Sequence, residues 1–176
     1  MTRKYEIERI NGEKRIRAVR SFDDVKVGDI GGIVSSEYNL SHDGNCWISY
    51  NSKAQNRSKV DGDAKLYNSV IKNYAKVSGN SKVIGSTIAG SAIICGNSIV
   101  SEGSEIKEHA EVSDSKVIHS FMRDSASVSK SIITDSSLSH SAKINDSVVK
   151  KSSLDADVAI ANDKKVIDKH VTIYDK

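Results

Sequence analysis

The chain has 176 residues and a formal net charge of +3, and it is rich in Ser, Ile and Val (29, 20 and 17 residues) but has 4 Leu and no Pro. This composition excludes a helical bundle, which is typically rich in Leu and Ala, and a disordered chain, which lacks Ile and Val. No stretch approaches the ~20 apolar residues of a transmembrane helix, so we expect no membrane partner. Two cysteines, Cys46 and Cys95, are too few for a disulfide framework and fit a reducing compartment. We therefore expect a cytoplasmic all-β protein.

The N-terminal segment, residues 1–45, predicts a β-hairpin. Asn11-Gly12 separates two runs of alternating apolar and polar residues, which is a strong hairpin signal. We expect strands over residues 4–10 and 14–20. The hairpin would cap the structure that follows, held to it by the apolar side chains of Phe22, Val25 and Val27.

Residues 46–176 repeat one short unit and are predicted to form one continuous structure. A small residue is followed two positions later by a branched aliphatic one, every five or six residues, as in Ala64/Leu66 and Ser69/Ile71. Every third aliphatic position recurs after 16–18 residues: Val60, Val77, Ile94, Val112, Val128, Ile144 and Ile160. Residues two apart in a strand share a face, so both residues of the unit point inward, the small one at a corner.

Three units per turn predict a single-stranded parallel β-helix, a triangular β-solenoid of about seven to eight coils with 16–18 residues each. On one side the inward positions are expected to be Leu66, Val83, Val100, Val117, Ile133, Val149 and Ile167. The alternative is a β-sandwich, whose strands usually recur every 8–12 residues with irregular turns.

This pattern resembles the hexapeptide-repeat, left-handed β-helix superfamily. The N-terminal segments Phe22-Asp-Asp-Val25, Gly28-Asp29-Ile30-Gly31-Gly32 and Gly44-Asn-Cys46-Trp47 are similar to a signature of its phage- and prophage-borne branch, which is transferase-like or uncharacterised. The resemblance covers nearly the whole chain, and it implies left-handed coils and a homotrimer. Because one fold supports many activities, it is weak evidence for function.

Many members of that superfamily are acyltransferases that use CoA thioesters and a histidine general base. The best candidate for such a base is His109, because the nearby Glu108 and Glu111 could orient its ring. His119 and His140 are expected at other corners with no paired acid nearby, and they rank lower. The chain lacks the long loop that such enzymes insert between coils, so no catalytic residue is favoured, and neither a cofactor nor a metal site is expected.

Charge is distributed unevenly along the coils. Residues 53–82 carry a net charge of +5, whereas residues 101–114 carry −4. The basic segment predicts a site for an anionic ligand or an acidic partner. We expect its binding residues to be Lys59, Lys65, Lys76, Lys82, Tyr67 and Tyr74. Nucleic acid is less favoured, because these two tyrosines are the only aromatic side chains among the lysines.

One side of the prism carries an outward apolar stripe, which predicts an oligomer interface. Its members are Trp47, Ile84, Ile99, Ile118, Ile132, Val148 and Val166. We therefore expect a homo-oligomer, and the resemblance favours a trimer. The favoured function is a non-catalytic binding protein that captures an anionic small molecule or a host protein, as an accessory or anti-defence factor. The alternatives are a CoA-dependent acyltransferase and a structural module of a virion or filament.

Overall fold

The computed structural model describes residues 3–155, 157, 159–160 and 164–172. In this part of the chain the fold is all-β: an antiparallel hairpin precedes a parallel β-solenoid of about eight coils, and three sheets form the sides of the prism. The one short helix of these residues is a single 3₁₀ turn, Glu37–Asn39. The fold prediction is therefore confirmed. No helix of the described residues is long and apolar enough to cross a membrane.

Within the described residues the three sheets differ in length. The long sheet has eleven strands, Tyr5–Ile10, Glu13–Ala18, Ile30–Val34, Lys53–Ala54, Val70–Ile71, Thr87–Ile88, Glu105–Ile106, Phe121–Met122, Ser137–Ser139, Ser153–Asp155 and His170–Thr172. The second sheet has eight, Trp47–Ile48, Lys65–Tyr67, Lys82–Ile84, Ile99–Ser101, Lys116–Ile118, Ile132–Thr134, Val148–Lys150 and Lys165–Ile167. The third sheet has seven, Lys59–Val60, Lys76–Val77, Ile93–Cys95, Glu111–Ser113, Ser127–Ser129, Lys143–Asn145 and Ala159–Ile160.

The N-terminal hairpin extends the long sheet. Its strands pair from Tyr5 with Ala18 to Ile10 with Glu13, and both turn residues have positive φ. The following strand, Ile30–Val34, already pairs in parallel with Lys53–Ala54, so coil stacking begins before Cys46. Phe22 and Val25 are buried as expected, but Val27 is 63% exposed, so the expectation that it packs against the solenoid is wrong.

The inward ladders follow the predicted register. Val60 pairs with Val77, which pairs with Ile94, and the column continues through Ile144 to Ile160. The last coil of the second sheet differs, because Val149 pairs with Val166 rather than with Ile167. Val166 packs against the core and Ile167 is exposed. The two aliphatic residues are adjacent, and only the pairing decides which one is inside.

Corner length accounts for coil length. From Val112 to Val128 two corners contain one residue and one corner contains two, and the repeat is 16 residues; from Ile94 to Val112 all three corners contain two, and the repeat is 18. The one-residue corners are residues with positive φ: Asn68, Gly85, Asp114, His119, Lys130, Asp135, Asp146, Lys151 and Asp168. Each is followed by Ser, except that Asp168 is followed by Lys169.

The serine hydroxyl replaces a backbone partner at these short corners. Ser136 N–H donates to Ser120 Oγ (3.1 Å), and Ser136 Oγ accepts from Ser152 N–H (3.2 Å) and donates to Thr134 O (2.7 Å). In a two-residue corner the same N–H bonds within its own turn, as Ala126 N–H does to the carbonyl three residues earlier (3.2 Å). Alanine is therefore sufficient after a long corner, whereas a short corner uses serine.

A buried lysine ties the N-terminus to the first coil. Lys4 is fully buried, and its Nζ donates to Gly44 O (3.1 Å) and Cys46 O (3.0 Å) and contacts Cys46 Sγ at 3.2 Å. Burial lowers the pKa of Lys4 and raises the pKa of the Cys46 thiol. Both directions favour a neutral pair, because a charge without full compensation is costly in the interior.

Candidate functional site

The predicted lysine and tyrosine site is divided among different parts of the prism. Lys59 and Lys76 are stacked neighbours on the third sheet. Lys65, Tyr67 and Lys82 lie on the second sheet, where Lys65 pairs with Lys82. Tyr74, which is 65% exposed, lies at the corner between the long and third sheets. The structure therefore contains two groups of these side chains plus a corner tyrosine, rather than one basic patch.

On the second sheet the N-terminal segment supplies acidic partners. Lys65 is buried, and its Nζ lies 2.9 Å from Asp23 Oδ2 and 2.5 Å from Asp24 Oδ1. Burial lowers the pKa of Lys65, but the hydrogen bonds to both carboxylates outweigh this effect and the net shift is upward. A cleft of about 490 Å³ here is lined by three aspartates and two lysines with polar neighbours: Asp23, Asp24, Asn45, Asp63, Lys65, Tyr67, Asn80 and Lys82. This mixed charge does not suit an anion.

On the third sheet one carboxylate lies between the two stacked lysines. Asp61 Oδ2 is 3.3 Å from Lys76 Nζ and 3.9 Å from Lys59 Nζ. Lys59 Nζ also lies 5.7 Å from the centre of the Tyr38 ring. Both lysine side chains keep roughly half of their exposure, so they can still attract an anion at the adjacent corner.

That corner holds a cleft of about 450 Å³ with a different lining. We call it the corner cleft; its residues are Asn56, Arg57, Asn73, Tyr74, Gly90 and Ser91. Arg57 supplies a positive charge, the two asparagines supply amides, and no carboxylate belongs to the lining. The third sheet begins two residues after Arg57 and Tyr74, so Lys59 and Lys76 flank the cleft.

Stacked two-residue corners build the corner cleft. The first residue of each corner has positive φ, and Asn and Gly adopt this conformation readily: Asn56 (58°), Asn73 (64°) and Gly90 (71°). Asn56 Nδ2 donates to Asn73 Oδ1 (3.0 Å), and Tyr74 N–H donates to Gly90 O (2.8 Å). Gly90 is required, because a Cβ there would lie 2.6 Å from the Glu108 backbone nitrogen. The corner residues are therefore held in fixed order along the stack.

The histidines that have a carboxylate partner are not the one that the sequence favoured as a general base. His109 is exposed, and its backbone N–H donates to Asp124 O (2.9 Å). His119, which ranked lower because no paired acid was expected nearby, has Asp135 Oδ1 at 2.7 Å from its Nδ1. His140 Nδ1 similarly lies 3.0 Å from Asp155 Oδ1. The statement that these two histidines lack an acidic partner is therefore wrong, because the partner lies one coil later.

His119 and Asp135 line a groove of about 640 Å³ on the long sheet. Its floor follows one outward column, in which Phe121, Ser137, Ser153 and His170 pair in succession. The two serines are small, so they leave a trough between two rings. The groove is also lined by Lys151, Lys169 and Asp168. Its two lysines and two aspartates balance in charge, so only the histidines His119 and His170 could add a net charge.

The apolar stripe is shorter than predicted. Trp47 is buried and packs edge-on against Phe22 with ring centres 5.6 Å apart, so it belongs to the contact between cap and coil. Val166 faces the core, as its pairing shows. Both residues are therefore unavailable to a partner. The remaining five members lie on the second sheet. Ile84 and Ile132 are exposed, whereas Ile99, Ile118 and Val148 are half-buried.

No group of three or more His, Cys, Asp or Glu side chains in the described part of the chain is placed to hold a metal ion. A scan of protein-family models finds none that matches this chain, and a search of curated proteins finds no significant match. Function is therefore inferred from the geometry of these clefts and surfaces.

Proposed function

We propose that this chain is a non-catalytic binding protein that captures a small anionic molecule at the corner cleft. In agreement with the resemblance of its sequence, we propose that it is of phage or prophage type, with hexapeptide-repeat coils, and acts in the cytoplasm as an accessory or anti-defence factor. The observation that carries the proposal is the lining of the corner cleft, where Arg57 and the amides of Asn56 and Asn73 converge without a carboxylate.

The chemistry of the cleft favours an anion over other ligands. The Arg57 guanidinium has a planar set of donors that matches the geometry of a phosphate or carboxylate. Lys59 and Lys76 add positive potential at the rim, reduced in part by Asp61 between them. The second-sheet cleft lacks this property, because Asp23 and Asp24 neutralise Lys65. A capture site on stacked corners needs no moving loop and no reactive group.

Titration of the purified protein with inorganic phosphate, followed by calorimetry, tests the proposal. We expect Arg57→Gln and the double variant Lys59→Glu with Lys76→Glu to weaken binding at least tenfold. Lys143→Glu is the matched control, because Lys143 lies in the same outward column of the third sheet, away from the cleft. Equal phosphate binding by the wild type and both cleft variants, or no binding by the wild type, would overturn the proposal.

We further propose that the apolar stripe joins copies of this chain into a homo-oligomer, with a trimer favoured by the resemblance. Ile84 and Ile132 are each about 40% exposed on one sheet, which is unusual for a side that faces only water. Ile84→Lys with Ile132→Lys should produce monomers in native mass spectrometry. Phe121→Lys, at an exposed ring on the long sheet, should leave the subunit number unchanged. A wild-type monomer would refute this part of the proposal.

The second candidate function is a CoA-dependent acyltransferase, and the observation that favours it is the pair formed by His119 and Asp135. A carboxylate that holds Nδ1 of a histidine orients the ring so that Nε2 can accept a proton from an acceptor nucleophile. Ser137 and Ser153 beside the pair would position the acceptor. Turnover of acetyl-CoA that is lost in His119→Ala but kept in His109→Ala would support this candidate over capture.

A further inference from the structure

We propose that the anion captured at the corner cleft carries a planar aromatic ring, and that the ligand is a mononucleotide or a molecule of that form. This inference rests on the proposed function and specifies the ligand class of the same site. It follows from the order of side chains along the stack of corners, which places an aromatic ring beside a gap.

The second residues of the stacked corners form one outward column: Arg57, Tyr74, Ser91 and His109. Backbone hydrogen bonds fix this order, since Tyr74 N–H donates to Gly90 O (2.8 Å) and Ser91 N–H donates to Glu108 O (2.6 Å). Successive coils are spaced at roughly 4.8 Å. Tyr74 and His109, one coil to each side of Ser91, therefore belong to coils roughly 9.6 Å apart.

The chain leaves a cleft beside Tyr74 that Gly90 and Ser91 also line. Ser91 is small, and its neighbour Gly90 has no side chain and cannot acquire one, because the Glu108 backbone lies 2.6 Å from where its Cβ would be. A flat ring stacked on Tyr74 needs a separation of only a few ångströms, so a slot two coils wide accommodates it without moving the backbone. Tyr74 is 65% exposed, so most of its side chain is available for contact with a ligand.

The charged end of the same ligand has a partner on the other side of Tyr74. Arg57 precedes Tyr74 in the column, so a molecule whose ring lies over Ser91 can extend its phosphate past the edge of the tyrosine to the guanidinium. The amide ladder adds polarity along this path, where Asn73 Oδ1 accepts from Asn56 Nδ2 at 3.0 Å. A phosphate alone would use Arg57 and leave Tyr74 without a role, whereas a nucleoside alone would leave Arg57 without one.

The experiment compares three classes of probe on the full chain: the four ribonucleoside 5′-monophosphates, their nucleosides, and inorganic phosphate. We expect at least one monophosphate to bind about tenfold more tightly than both its nucleoside and phosphate, since stacking on an aromatic side chain is worth about that factor. Tyr74→Leu should remove this advantage, so that the monophosphate and inorganic phosphate bind with similar affinity. Ser91→Tyr, which fills the slot, should do the same without removing Tyr74.

The outcomes separate this inference from the proposed function. If phosphate binds in an Arg57-dependent way and no monophosphate binds more tightly, the ring slot is refuted and anion capture stands. If neither class binds, both are refuted. If a monophosphate binds more tightly but Tyr74→Leu and Ser91→Tyr do not alter its affinity, the ring lies elsewhere and the slot is refuted. Tyr50→Leu, an exposed tyrosine that instead packs with Arg15, is the matched control.

Discussion

Replacing Ser136 by alanine tests whether the hydroxyls of the serine columns stabilise the fold through their hydrogen bonds. The hydroxyl accepts the backbone N–H of Ser152 at 3.2 Å and donates to Thr134 O at 2.7 Å, and both bonds disappear in Ser136→Ala. Ser152 N–H is buried in a one-residue corner, where its own turn offers no other carbonyl. An unsatisfied buried donor costs about 1–3 kcal/mol. For a chain of this size that free energy corresponds to a decrease of about 2–12 °C in the unfolding temperature.

Thermal unfolding combined with amide hydrogen exchange measures this effect. Exchange at Ser152 should accelerate in Ser136→Ala more than exchange at amides on other sides of the same coil, because the lost partner is local. Ser141→Ala is the matched control, since Ser141 is exposed in a two-residue corner and its loss should change stability by less than about 0.5 kcal/mol. Wild-type unfolding temperature and unchanged Ser152 exchange in Ser136→Ala would refute the reasoning.

Two further predictions concern the N-terminal cap. Phe22→Ala should destabilise the protein by about 3–5 kcal/mol in denaturant unfolding, because the buried ring packs on Trp47. Val27→Ala should be neutral, because Val27 is exposed. Equal effects of the two substitutions would contradict this packing. A hydrogen bond from Lys65 lowers the pKa of Asp24 in the folded protein. Ionised Asp24 therefore stabilises the fold at pH values above its unfolded-state pKa, and this stabilisation is lost as the pH falls through its folded-state pKa. The unfolding-temperature advantage of the wild type over Asp24→Asn should therefore be present at neutral pH and shrink below about pH 4; an advantage that grows on acidification would contradict this.

The fold could be predicted because the repeat is periodic and its inward residues satisfy one steric rule. The spacing of Val60, Val77 and Ile94 already contains the pairing that the sheets show. The prediction failed at Val166 and Ile167, because neither has the small residue two positions earlier that sets the register in the other units; Lys164 and Lys165 stand there instead. It also failed at Val27, where an alternating apolar residue lies outside the repeat and nothing in the spacing determines its exposure.

The candidate site was harder to predict because its partners come from different coils. Asp23 and Asp24 neutralise Lys65 from a segment about forty residues away, and no periodicity relates them. The pairing of His119 with Asp135 was detectable in principle, because the two residues are separated by 16 positions, the local coil length. Aligning the sequence by coils and then looking down each corner column would have found it, and would also have placed Tyr74 next to Arg57.

The serine columns also make each coil depend on the one before it. A corner can shorten to one residue only if the preceding coil offers a hydroxyl at the same position, as Ser98 does for Ser115 and Ser104 does for Ser120. Lengthening a corner has no such condition, because the longer turn satisfies its own N–H. Coil order is therefore constrained where the preceding residue is alanine: the column of Ala110, Ala126 and Ala142 offers no hydroxyl, and each of its corners contains two residues. Insertions and deletions that preserve the fold should therefore keep a serine one coil before every one-residue corner.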